Sequence, residues 1–120
     1  MNNNQNVKTQ YGISIEQLNN IINQFKFFKN ISKILIIGSR ALGNFRNNSD
    51  IDLVLIGDDL SLDELSAINL KLDELYLPYK FDLLIFSKIK NKDLIDHINQ
   101  YGKVIYNKKQ DATNGTSYIS

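Results

Sequence analysis

The sequence predicts an α/β (α+β) fold, a small mixed β-sheet with helices packed on it. Three observations predict it. Short apolar runs rich in β-branched residues alternate with longer stretches of helical periodicity, in the order helix, strand, turn, strand, helix, strand, helix, strand. No repeat or interdomain linker interrupts that order. The chain has 120 residues, 42% of them hydrophobic, which suits one compact domain with a real core.

Each element has a local cause. Residues 1–10 are polar and Asn-rich and read as a disordered lead-in. Ser14 followed by Gln17 is a capping box, and Leu18, Ile21, Ile22 and Phe25 recur at helical spacing, which predicts a helix over 15–29. Ile34 to Ile37 is an apolar run ending at Gly38, the pattern of a buried strand. A helical turn is expected over 39–44, then a polar loop to Ser49, then a second strand over 51–56. Ser61 with Glu64 forms another capping box, and Leu62, Leu65, Ile68, Leu72 and Leu75 make a stripe, so residues 62–77 read as a helix stopped by Pro78. A third strand is expected over 79–86. Asn91 can cap a helix running to about Gln100 that ends at Gly102, and residues 103–106 form a last short strand before a polar tail over 107–120. The folded domain is therefore expected over 11–106.

Composition narrows the chemistry. The net charge is +1, from 14 basic and 13 acidic residues, so direct nucleic-acid binding is not expected. The lysines at 88, 90, 92, 108 and 109 read as solvated surface. There is no cysteine and one histidine, His97, itself read as surface, so a metal site would have to be built on carboxylates and would take Mg²⁺, Mn²⁺ or Ca²⁺. No apolar run approaches the roughly 20 residues of a membrane span, and the first residues lack a signal-peptide core. The expected compartment is cytoplasmic, with no membrane partner.

The informative stretch is residues 38–53, GSRALGNFRNNSDIDL. Gly38 and Ser39 lie where a strand gives way to a helical turn. Backbone N–H groups at such a start favour an anion, glycine lets a phosphate approach, and the Ser39 hydroxyl adds a donor. After ten intervening residues come Asp50 and Asp52. Residues i and i+2 of a strand share a face, which puts the two carboxylates roughly 6.5 Å apart, a spacing that suits shared divalent cations. Asp82 interrupts the apolar run FDLLIF and needs a partner. If its strand lies beside 51–56 it completes a three-carboxylate cluster; otherwise it pairs with Lys80 or Arg46. Arg40 and Arg46 each have two readings, a fork of donors for phosphate or a partner that shapes the loop. Asp58, Asp59, Asp63 and Glu64 fit turn and helix-start chemistry. A P-loop is excluded because no Lys-Ser or Lys-Thr follows a second glycine at the required spacing, and a dinucleotide fold because there is no G-x-G-x-x-G.

Gly38-Ser39, ten residues, Asp50-Ile51-Asp52 and then Asp82 resembles the nucleotidyltransferase superfamily related to DNA polymerase β. The closer likeness is to the minimal nucleotidyltransferases (MNT), the antitoxin half of HEPN–MNT toxin–antitoxin pairs. It rests on GSRA, Gly43, Arg46, SDIDL, the helix opened by YGIS and the ending DHINQYGKVIY, and it covers roughly residues 11–106. The resemblance implies a nucleotidyltransferase fold and an adenylyltransferase that uses ATP with two Mg²⁺ ions. It would move AMP onto a hydroxyl, a tyrosine in that group, of a partner HEPN ribonuclease in a hetero-oligomer. Position by position it implies Gly38 and Ser39 on the nucleotide phosphates, with Arg40 and Arg46 as further candidates. It implies Asp50 and Asp52 on the metals, and Asp82 on the catalytic metal and as general base. The aromatic residues Tyr76, Tyr79, Phe81, Phe86, Tyr101 and Tyr106 read as packing, with stacking on adenine as the alternative for one of them. Two other functions compete: a non-catalytic antitoxin that neutralises by binding, and transfer to a small molecule, for which the chain is short. Template-independent RNA extension fits the near-neutral charge worse still.

Overall fold

A computed structural model describes residues 7–109. Helix α1 (Ile15–Phe25) leads into β1 (Ile31–Ile37), which passes directly into the short helix α2 (Gly38–Leu42). Then follow β2 (Ile51–Gly57), α3 (Leu62–Asp73), β3 (Phe81–Ile85), a 3-10 turn at Phe86–Lys88, α4 (Lys92–Tyr101) and β4 (Lys103–Asn107). The four strands form one sheet in the order β3-β2-β1-β4. β1 runs antiparallel to β2 and β4, whereas β2 and β3 are parallel, so the sheet is mixed as expected.

Helix starts follow their local chemistry. The Ser14 hydroxyl accepts from the Gln17 amide at 3.0 Å, and Gln17 Oε1 accepts in return from the Ser14 amide. Ser61 and Glu64 repeat the arrangement, and Asn91 Oδ1 accepts from the Leu94 amide at 3.1 Å. Each box satisfies amides that the first helical turn leaves without partners.

Helix ends follow tertiary demand instead. α1 stops at Phe25, short of the expected residue 29, because the chain must turn at once to enter β1; the Phe28 amide bonds back to Phe25 O at 3.0 Å. α3 stops at Asp73, before Pro78 is reached. Tyr76 adopts φ 52°, which no helix tolerates, and points to solvent while Leu75 and Leu77 pack on the core. β1 begins three residues earlier than its apolar run, since Ser32 bonds its hydroxyl to Ile56 O and a register irregularity between Ile31 and Lys33 absorbs the polar pair. Residues 7–10, assigned above to the lead-in, are part of the fold. Lys8 bridges Ser14, and the Thr9 amide donates to Ile13 O at 2.9 Å. Residues 1–6 and most of the tail over 107–120 lie outside the described residues.

The sheet separates two apolar clusters. One face carries Ile34, Ile36, Ile51, Leu53 and Leu55, packed with the residues of α1 and α3, including Phe25 and Ile68. The other carries Leu35, Ile37 and Val54, packed with Ile98 of α4. The alternation of strand side chains assigns every second residue to each. Asp52 shares parity with Val54, and Asp82 with Leu84, so both lie on the α4 face.

Candidate functional site

The end of β1 and the starts of β2 and β3 meet at one edge of the α4 face. In the sheet register Ile37 faces Asp52, and Asp52 faces Asp82 on the neighbouring parallel strand. Strands that pair are about 4.8 Å apart, so these two carboxylates are direct neighbours. Asp50 precedes β2 by one residue and is exposed, as is Asp82; Asp52 is half-buried. Of the alternatives for Asp82, the register selects the one beside β2.

The crowding bears on Asp52. Burial raises its carboxyl above the ordinary 3.8, and the charges of Asp82 and Asp50 raise it further. A cluster of anionic oxygens held against its own repulsion is a donor set that fits a hard divalent cation. Among the described residues, no three His, Asp or Glu side chains converge as a finished metal cage. The carboxylates would have to turn toward a common ion.

Gly38 is required by this corner twice over. Its φ is +77°, in the left-handed region that favours glycine, and a Cβ placed on it would lie 2.4 Å from Asp52 Oδ2. The backbone at the start of α2 therefore sits against the central carboxylate, and Ser39 follows immediately, half-buried. α2 is only five residues long and closes with Gly43 at φ 87°, whose amide bonds to Ser39 O.

The two arginines separate. Arg46 is exposed; its backbone amide donates to Ser49 Oγ at 2.8 Å and its carbonyl accepts from the Ser49 amide at 3.0 Å, and its side chain faces solvent. Arg40 is 1% exposed. Its Nε and Nη2 donate to Ser49 O, Nη2 also to Asn47 O, and Nη1 to Tyr11 O at 2.9 Å. The guanidinium carbon lies over the rings of Phe45 and Tyr79, 5.1 and 4.9 Å from their centroids. Burial works against its charge, and Tyr79 and Asp50 support it. Of its two readings, the geometry favours the one in which Arg40 shapes the loop. Phe45, Tyr79 and Gly12 were not singled out for this region by sequence reasoning, because a cation enclosed by carbonyls and rings leaves no spacing signature.

His97 is half-buried, stacked obliquely on Tyr101 at 5.0 Å. A cavity of about 520 Å³ lies at the opposite end of β1, lined by Ser32, Lys33, Asn107, Lys108 and Lys109. Among the described residues that line it there is no carboxylate, and it is separate from the acidic corner. Among the described residues no helix is long and apolar enough to cross a membrane.

A mixed sheet with a Gly-Ser corner beside carboxylates on adjacent strands defines a class, the nucleotidyl-transferring folds. The sequence profile described as polymerase beta, nucleotidyltransferase matches residues 19–111, and the chain belongs to that family. Comparison with curated proteins by sequence gave no match. Solved structures of the same shape include a chain of a toxin–antitoxin complex with AMP-PNP (23% identity, TM-score 0.64, covering 81% of this chain and 78% of that one). A second is from the tri-AMPylated Shewanella oneidensis HEPN toxin in complex with MNT antitoxin (19%, TM-score 0.61, 88% and 79%). A third is a nucleotidyltransferase-type protein from Sulfolobus solfataricus (14%, TM-score 0.51, 94% and 96%). At such identities the likeness establishes the fold.

Proposed function

We infer that the protein is an antitoxin-type adenylyltransferase that moves AMP from ATP to a hydroxyl, a tyrosine, of a partner HEPN ribonuclease and so neutralises it. The observation that carries this is the register that sets Asp52 opposite Asp82, with the Gly38 backbone against Asp52 and Asp50 two residues before it. An acceptor hydroxyl carried by a partner protein fits this reading. Family membership supports nucleotidyl transfer, and the solved toxin–antitoxin complexes, one tri-AMPylated and one with AMP-PNP, support the acceptor class. The near-neutral charge argues against RNA as acceptor. A supply of ATP suits a cytoplasmic protein.

The reaction joins the acceptor oxygen to the α-phosphorus of ATP and breaks the bond from that phosphorus to the bridging oxygen, releasing pyrophosphate. Gly38 and Ser39 hold the nucleotide phosphates through backbone amides and the Ser39 hydroxyl. Asp50, Asp52 and Asp82 would hold Mg²⁺, two ions by the resemblance, which would supply charge neutralisation to the attacking and leaving oxygens. Asp82, on the exposed outer strand, accepts the proton of the acceptor hydroxyl. Arg46, free to swing at the loop, can meet the nucleotide's negative charge.

The test compares wild type with Asp50→Asn and Asp52→Asn for radiolabelled AMP incorporated into the partner toxin and for recovery of cell growth. Both variants should lose incorporation and neutralisation. Neutralisation retained by the variants in a stable complex would establish inhibition by binding alone.

A further inference from the structure

The β2–β3 ladder holds Asp52 and Asp82 side by side, but Asp50 lies outside it. Residues 43–50 form a loop without helix or strand, and Asp50 stands at its end. The geometry points to Arg40 as the positioning residue of this site: its buried guanidinium clamps the loop so that Asp50 is presented beside Asp52.

Four observations support it. Arg40 follows Ser39 directly on α2, so the phosphate corner and the clamp move together. Two of its nitrogens converge on the carbonyl of Ser49, the residue before Asp50, at 3.1 and 2.8 Å, and a third contact takes Asn47 O. Its flanking rings come from the loop itself, through Phe45, and from Tyr79, two residues before the strand that carries Asp82. Tyr79 is fixed in turn by donating its hydroxyl to Gln17 Oε1 in the α1 capping box, and Phe45 lies so close to Gly12 that a Cβ there would meet its ring at 2.2 Å. One cation thus links the Gly-Ser corner, the Asp50 loop, the entry to β3 and the Tyr11 turn. A planar fork is needed for this, since a lysine ammonium is a point charge that cannot span carbonyls on two sides while lying over both rings.

What Asp50 does in catalysis rests on the function proposed above; that the clamp sets its position does not. The test therefore has two readouts on Arg40→Lys. The first is amide exchange by NMR at Ser49 and Ile51, whose amides bond Arg46 O and Lys80 O, with Leu65 in α3 as the remote control. The second is AMP transfer to the partner toxin. Exchange at Ser49 and Ile51 should quicken on the order of tenfold, with Leu65 unchanged. The kcat should fall on the order of 100-fold, as a displacement of about 1 Å can cause, with KM for ATP within about threefold of wild type. Wild-type exchange and kcat in the folded variant, or exchange quickened equally at Leu65, would overturn the assignment. Should Arg40→Lys fail to fold, Phe45→Leu keeps the guanidinium and loosens the same loop, and the same local pattern is required of it. A wild type that transfers no AMP defeats the function while the exchange pattern still decides the clamp.

Discussion

Asp52→Asn should make the metal-free protein more stable and inactive at once. Asp52 faces Asp82 in register across the β2–β3 pair, and Asp50 lies two residues away. Like charges in such positions cost up to about 1 kcal/mol each, and the exposure of Asp50 and Asp82 screens both toward the lower half of that range. Two repulsions of about 0.5 kcal/mol amount to about 1 kcal/mol, a rise of about 4 °C in Tm for a domain of this size. The pH dependence has a definite sign. Asp52 keeps its proton to higher pH in the folded chain than in the unfolded one, so its contribution is fully present below the ordinary 3.8 and is lost as pH rises through the raised folded value. Thermal melts followed by circular dichroism in EDTA, at low salt, from about pH 3, below the ordinary carboxylate values, to about pH 7 read both effects. Wild type should lose stability with rising pH more steeply than Asp52→Asn. Adding Mg²⁺ at neutral pH should raise the wild-type Tm and leave the variant nearly unchanged. A variant that melts below metal-free wild type at neutral pH would refute the reasoning, because the corner would then not be electrostatically strained.

Gly38→Ala should cost about 1–3 kcal/mol, from a left-handed backbone and an overpacked contact, and chemical denaturation measures it. Combining it with Asp52→Ala should recover part of that loss, since the atoms met by the added methyl belong to Asp52. Gly57→Ala should cost a comparable amount, about 1–3 kcal/mol, because its Cβ would lie 1.8 Å from Asn30 O, while AMP transfer at temperatures where it stays folded is unchanged.

The parts of this fold legible in the sequence are those decided locally. Ser14, Ser61 and Asn91 announce helix starts because a cap and its partner lie three residues apart. Asp52 announces the face it shares with Val54 because strand parity has period two, whereas Asp50, expected on that face, lies in the loop one residue before β2, where parity does not place it. Asp82 was legible as an anomaly in an apolar run, and the parallel register sets it opposite Asp52. What stayed hidden depends on distant contacts. Tyr76 ends α3 early to turn Leu75 and Leu77 inward, and nothing adjacent to it signals a left-handed residue. Arg40 is separated by nine residues from Ser49 and by twenty-nine from Tyr11, and only the folded loop brings their carbonyls to one guanidinium. The close approach of Gly38 to Asp52, which leaves no room for a methyl, is likewise a property of two strands laid side by side.

The most direct measurement is the intact mass of the protein encoded by the neighbouring gene, after incubation with the chain, ATP and Mg²⁺, alongside an Asp50→Asn/Asp52→Asn control. The account predicts a gain of one or more AMP units on the partner, absent with the control. An unchanged partner mass, with the two proteins still eluting as one complex, would contradict catalysis and leave neutralisation to binding.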